Sequence, residues 1–249
     1  MSLCVVFVCN KKYLPKFINT LHLLRTNGQY NGEVLLIIGD DLKKQESELK
    51  NKYNIKVKCF PDIIFDKEFI NNFKTLNRPG HWVGKIFQYH KFYLFDIYLK
   101  QWDYILYLDC GINILRPIQP ILDSKKKNKL LAHNDAYPTY IGKWKLSIQF
   151  DNNHHLFKKL EKEYNLNINY FQTTILLYDT NIINENTYND LFKLANKYPI
   201  SRTNDQGIIA LFYTTINKKW EQLQIQDETQ YYYDYMKRNN NKPYIMHKI

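Results

Sequence analysis

Apolar and polar positions follow two periods along this chain. Short apolar runs at Leu3–Val8, Glu33–Ile38 and Ile55–Phe60, rich in β-branched residues, have the length of buried strands. Between them, Leu14, Phe17, Leu21 and Leu24 recur at helical spacing over Leu14–Thr26, and Leu42–Lys52 reads as a polar, charge-laced helix. Residues 61–82 carry no period and read as irregular. Ile86, Tyr89, Phe92, Tyr93 and Ile97 then predict a long amphipathic helix over Val83–Lys100. Tyr104–Leu108 is the most apolar strand candidate, with a short strand at Ile112–Leu115 before Pro117. Later come strands at Leu130–His133 and Thr173–Tyr178, and helices near His154–Tyr164, Glu185–Lys197 and Asp205–Tyr213. Strands alternating with helices predict an α/β fold around a parallel sheet. No repeat and no Gly/Ser- or Pro-rich linker divides the chain, so residues 1–249 read as one domain.

Composition narrows the classes. A chain of 249 residues can bury a core without staples, and 16% aromatic residues excludes wholesale disorder. Thirty-five basic against 24 acidic side chains leave a formal charge of +11, which favours anionic partners without choosing among them. Cys4, Cys9, Cys59 and Cys110 form no CxxC pair, and Cys4 and Cys110 fall in apolar runs where free thiols are common. A reduced, cytoplasmic setting is expected, since the apolar stretch at the N-terminus is too short for a signal peptide and no run approaches a membrane span.

The strongest local chemistry lies at Trp102-Asp103-Tyr104-Ile105-Leu106-Tyr107-Leu108-Asp109-Cys110-Gly111, where an apolar strand ends in a carboxylate. Ligands of α/β sheets bind beyond the carboxyl ends of strands. Asp109 there suits a hard divalent cation or a ribose hydroxyl, and a strand-end turn with Asp109 as cap and Gly111 at positive φ accounts for the same residues.

This segment resembles the metal-site region of GT-A glycosyltransferases, in particular the glycogenin and lipopolysaccharide galactosyltransferase group. In that group a helix with a basic residue, here Lys91, leads into a Trp-Asp and a Tyr-Leu-Asp-x-Asp run. Four further blocks match in order: Val8-Cys9-Asn10-Lys11-Lys12-Tyr13-Leu14, Tyr170-Phe171-Gln172-Thr173-Thr174, Asn204-Asp205-Gln206-Gly207 and Tyr244-Ile245-Met246-His247. The resemblance implies a GT-A fold with a central mostly parallel sheet, a nucleotide-binding half at about 1–115 and an acceptor half at about 116–249. It implies transfer of a sugar from a nucleoside-diphospho-sugar, a UDP-sugar, with Mn²⁺ or Mg²⁺ as cofactor and retention of configuration. The acceptor, whether glycan, protein or lipid, is left open.

Carried over residue by residue, the resemblance places Val8, Asn10 and Tyr13 on the nucleotide, and Asp109, Cys110 and Gly111 at the diphosphate. It sets Asp109 and His247 on the metal, and Asp205, Gln206, Gln172 and Asp135 around the transferred sugar and acceptor. Two departures stand out. The second carboxylate of the motif is replaced by Gly111, and the family's Asn-x-Gly becomes Gln172-Thr173-Thr174. With one metal ligand missing, Lys91, Lys85 and Lys248 are candidates to neutralise the diphosphate. Each residue has a plainer reading too: solvated helix lysines, an N-terminal helix acid at Asp205 and an Asx turn at Asp135 before Pro138.

Other features carry less. Adjacent His154 and His155 do not share a helix face, so they make a poor chelating pair. The loop Asn77–Trp82 has the composition of a lid hinged at Gly80, and Tyr231, Tyr232 and Tyr233 read as tail packing or as an aromatic platform. Two other functions compete with transfer: a catalytically silent sugar-nucleotide or glycan-binding module, motivated by Gly111, and a basic nucleic-acid-binding protein. No nucleic-acid partner is expected, because the lysines are dispersed and no RRM, KH or helix-turn-helix signature is present.

Overall fold

The computed structural model describes residues 1–77, 82–137 and 140–223, and two backbone strands at 231–234 and 244–248. Strands β1 (Leu3–Cys9), β2 (Glu33–Ile38), β3 (Lys56–Cys59) and β4 (Tyr104–Leu108) form the parallel half of a seven-stranded sheet. Strand β5 (Ile112–Ile114) leaves this sheet, while β6 (Leu130–Asn134), β7 (Phe171–Asp179) and β8 (Trp220–Gln222) complete it in the order β3-β2-β1-β4-β7-β6-β8. β7 runs antiparallel to both β4 and β6, so the sheet is mostly parallel rather than wholly so. A second sheet joins β5 to β9 (Tyr231–Asp234) and β10 (Tyr244–Lys248), with β10 in the middle.

The helices are α1 (Leu14–Arg25), α2 (Glu46–Tyr53), α3 (Lys67–Leu76), α4 (Trp82–Lys85), α5 (Gln119–Asp123), α6 (His155–Glu163), α7 (Thr187–Lys197) and α8 (Asp205–Leu211). Strand side chains alternate between faces. On β1, Cys4, Val6 and Val8 enter one core cluster, while Val5, Phe7 and Cys9 enter the other. Both faces of the sheet are thus covered, which is why its strands read as continuous apolar runs.

Several expected elements differ. The helix expected over Val83–Lys100 is instead the short α4, then 3₁₀ segments at Ile86–Phe95 and Ile97–Gln101 broken by extended Asp96. Tyr89, His90, Phe92, Tyr93, Leu94 and Phe95 are all buried, so the 86–95 segment is enclosed on most sides, while Ile97, expected on the apolar face, is exposed. Within the region read as irregular lies α3, capped by Asp66 accepting from the Phe69 N–H at 2.7 Å and burying Phe69 and Phe73. Likewise α2 begins later than expected, after a 3₁₀ turn at Asp40–Gln45. Tyr231–Asp234 is a strand, and its side chains lie outside the described residues.

Candidate active site

The site forms where β1 and β4 end and the antiparallel β7 begins. The Asp109 N–H donates to the Thr174 carbonyl at 2.9 Å, which fixes the start of β7 beside the end of β4. Gly111 turns the chain with φ of +89°, a left-handed conformation that glycine adopts without penalty. β5 follows at once, and β10 pairs with it, His247 opposite Asn113 and Lys248 opposite Ile112. The last strand therefore runs beside the Asp109–Gly111 turn, although the side chains of His247 and Lys248 lie outside the described residues. Residues Arg78–His81 of the expected lid, and the Trp82 side chain, also lie outside them.

Two cavities meet at this edge. The smaller, about 140 Å³, is lined by Val8, Asn10 and Tyr13 from the end of β1 and by Asp109, Cys110 and Gly111 from the end of β4. Asn10 caps its own turn, its Oδ1 accepting from the Tyr13 N–H at 3.1 Å. The larger cavity, about 480 Å³, is lined by Asp135, Gln172, Asp205 and Gln206 together with Lys85. Gln88, Lys91 and Asp109 line both, so they form the shared wall. Lys85, Gln88 and Lys91 stand three residues apart in a row along the larger cavity, Gln88 and Lys91 aligned by the 3₁₀ winding that eclipses every third side chain and Lys85 joining them from the end of α4.

Lys91 organises the wall. Its Nζ lies 2.9 Å from Asp109 Oδ1 and 3.4 Å from Asp205 Oδ2, and it donates to the carbonyl and hydroxyl of Thr173 at 3.5 and 3.4 Å. Burial works against its charge, but the Asp109 and Asp205 carboxylates outweigh that and hold its pKa above the usual lysine range. Burial pushes the Asp205 carboxyl up, the Lys91 ammonium opposing it. Asp205 also accepts from Thr173 Oγ1 at 3.0 Å, and Asp109 from the Tyr107 hydroxyl at 2.5 Å. Burial and the neighbouring Asp109 raise the Tyr107 pKa well above its ordinary value, so it remains a donor.

The residues expected around the sugar are equally fixed. Asp135 accepts from the Tyr170 hydroxyl at 2.7 Å and from Gln172 Nε2 at 2.5 Å. That bond assigns the Gln172 amide orientation and leaves its Oε1 buried without a partner. Gln206 accepts from the Thr173 N–H at 3.3 Å and donates to Gln149 Oε1 at 3.0 Å. Asp205 and Gln206 are presented by a turn in which Asn204 has φ 56° and ψ −122°, closed by Gln206 N–H to Thr203 carbonyl at 3.2 Å. These angles are those of the first central position of a II′ turn, a place where glycine is favoured. Asn204 Nδ2 donates to Gln88 Oε1 at 2.5 Å, tying this turn to the shared wall, and Asn204 Oδ1 is buried without a partner.

The described donors do not make a divalent-cation site by themselves. Among the described residues no three His, Cys, Asp or Glu side chains are grouped as metal ligands. One Asp109 oxygen already takes the Lys91 ammonium and the Tyr107 hydroxyl. The half-buried Cys110 thiol donates to the Val8 carbonyl at 3.4 Å, and the neighbouring Cys9 and desolvation push its pKa well above the ordinary range, so it is a poor thiolate ligand. Position 111 offers no side chain.

Some residues were not visible in the sequence pattern. Gln88 and Gln149 were hidden because their roles depend on 3₁₀ segments that periodicity does not reveal, and Asn204, named in its block, had its turn conformation hidden in the same way. Lys16, which lines the smaller cavity, looks like any polar position of α1. Trp102 and Asp103 of the recognised run serve structure: the Trp102 indole donates to Glu33 at 2.5 Å, and Asp103 accepts from the Ser2 N–H at 2.6 Å. His154 caps α6, accepting from the Leu156 N–H at 3.2 Å.

Comparisons with known proteins agree with this architecture. GlyE of Streptococcus pneumoniae, a glycosyltransferase in its apo form, superposes with a TM-score of 0.52 at 13% identity, covering 90% of this chain and 45% of that one. The bifunctional glycosyltransferase WbbM superposes at 0.61 and 13% identity, covering 99% and 45%. The galactosyltransferase LgtC, in complex with donor and acceptor sugar analogues, superposes at 0.53 and 13% identity, covering 92% and 75%. The chain thus spans under half the length of GlyE and WbbM. No curated protein matches the sequence. The fold is that of the GT-A glycosyltransferases, as the recognised blocks implied. The sequence model described as glycosyl transferase family 8 matches residues 4–249, and the chain belongs to that family.

Proposed function

We propose that this chain transfers a sugar from a nucleoside-diphospho-sugar, a UDP-sugar, to an acceptor, with retention of anomeric configuration. Family membership supports a glycosyltransferase. One observation carries the donor reading: a small cavity at the ends of β1 and β4 and a larger polar one share the wall Gln88–Lys91–Asp109. A nucleotide in the first and a sugar in the second would set the scissile bond beside that wall.

The chemistry suits the residues. Cleavage of the anomeric C–O bond leaves negative charge on the diphosphate and oxocarbenium character on the sugar. Prearranged cations stabilise the first and carboxylates or amide oxygens the second. Lys91 holds Asp109 and Asp205 in place. Gln206, anchored by Thr173 and Gln149, lines the larger cavity with Gln172 and Asn204 and offers polar contacts to sugar hydroxyls. Asp135, locked by Tyr170 and Gln172, adds a carboxylate to the larger cavity. Retention rests on the family resemblance alone, and the acceptor, glycan, protein or lipid, stays open.

Release of UDP from UDP-glucose, UDP-galactose and UDP-N-acetylglucosamine tests the reading, with wild type and Asp109→Asn compared in Mn²⁺ and in EDTA. Release by the wild type and its loss in the variant support it. Equal rates remove Asp109 from the mechanism, and nucleotide binding with no release supports a silent binding module instead.

A further inference from the structure

Gly111 is the place where the recognised motif lacks a carboxylate, and a lysine covers it. A Cβ built on Gly111 would lie 3.2 Å from Lys16 Cδ and 3.9 Å from Lys16 Nζ. The lysine stem thus passes over the turn, through space that a side chain at position 111 would contest. Lys16 lines the smaller cavity together with Lys91, and its ammonium lies 5.8 Å from the centroid of the Tyr13 ring, with no carboxylate within ion-pair distance among the described residues. Lys12 Nζ lies 4.0 Å from a Cβ built on Gly84, a residue that lines the same cavity. Lys91 itself is already committed to Asp109 and Asp205, so it is not the cation available to an incoming anion.

We propose that Lys16, seated over Gly111, is the residue that holds the donor's diphosphate, so that the nucleotide binds without a divalent ion. The inference rests on the nucleotide-sugar reading above. Charge supports it. Asp109 and Asp205 against Lys91 leave an excess of one carboxylate around Lys91, and a diphosphate placed beside it needs further positive charge. A divalent ion would need oxygen ligands that position 111 does not offer. A flexible ammonium needs none, and it meets phosphate oxygens as a point charge. The glycine and the lysine then form one device: the first opens the space and the second fills it with charge.

Titration calorimetry with UDP and with inorganic pyrophosphate tests this, on wild type and Lys16→Gln, each in EDTA and in Mn²⁺. Glutamine keeps most of the stem, and circular dichroism with a melting curve confirms the fold; Lys16→Arg is the rescue variant. In wild type the dissociation constants should differ by less than about twofold between EDTA and Mn²⁺, while Lys16→Gln weakens both ligands by about tenfold and Lys16→Arg restores them. UDP binding that requires Mn²⁺, or binding unchanged in folded Lys16→Gln, overturns the inference and leaves the donor reading standing. Failure of wild type to bind UDP under either condition removes the donor reading, and the inference with it.

Discussion

The Lys91 ammonium lies 2.9 Å from the Asp109 carboxylate, joining a 3₁₀ segment to the end of the most apolar strand of the sheet. The contact is nearly closed to solvent, the two side chains being 12% and 16% exposed. Removing one partner of such a pair leaves a buried charge uncompensated, at a cost of about 3–5 kcal/mol.

Lys91→Met should therefore destabilise the protein in a pH-dependent way. Burial already raises the Asp205 pKa and Lys91 opposes the rise, so the variant's Asp205 titrates higher still. A raised carboxyl favours the fold when protonated, and that contribution is lost as pH rises through the folded-state value. The melting-temperature gap between wild type and Lys91→Met should widen as pH rises from about 4 toward 7. A gap that is constant over that range contradicts the coupling.

Asn204 holds a backbone conformation that costs a non-glycine residue about 1–3 kcal/mol. Asn204→Gly relieves it, but loses the bond to Gln88 and frees the unfolded chain. These effects offset, so unfolding in urea should shift by less than about 1 kcal/mol. Donor hydrolysis should fall about tenfold, because the turn that aims Asp205 and Gln206 loosens. Stability and activity would then part company at this position.

Gly207→Ala should destabilise, against the usual direction for glycine in a helix. A Cβ there would lie 2.4 Å from Ser201 Oγ, which donates to the Asn204 carbonyl at 2.7 Å. Overpacking of this kind costs about 1–3 kcal/mol. Urea midpoints of Gly207→Ala and of the double variant Gly207→Ala/Ser201→Ala decide the cause, since removing the hydroxyl should recover part of the loss.

What the sequence made legible follows burial. β1, β2 and β4 were plain, because strands covered on both faces must be apolar throughout. Asp109 was visible because a carboxylate ending such a run is abrupt. The 86–95 stretch was misread as an α-helix: its aromatic residues fit helical spacing, yet enclosure on most sides selects a tighter winding that no local period announces. α3 had its signals, an Asp66 cap and Phe69 with Phe73, but they were short and lay among polar residues. Lys16 was invisible for another reason. Its meaning depends on Gly111, far along the chain and brought near by the pairing of β1 with β4 and by the Thr20 hydroxyl that bonds the Gly111 turn to α1.

The row Lys85–Gln88–Lys91 has one more consequence. Three residues of a 3₁₀ turn advance about 6 Å, so Gln88 and Lys91 stand one turn apart on one ledge, and Lys85 borders it from the end of α4. A ligand in the larger cavity meets the Lys85 and Gln88 side chains there, beside a Lys91 already paired with Asp109 and Asp205. Inserting or deleting a single residue in the segment would rotate everything beyond it by about 120° and turn Lys91 off the ledge.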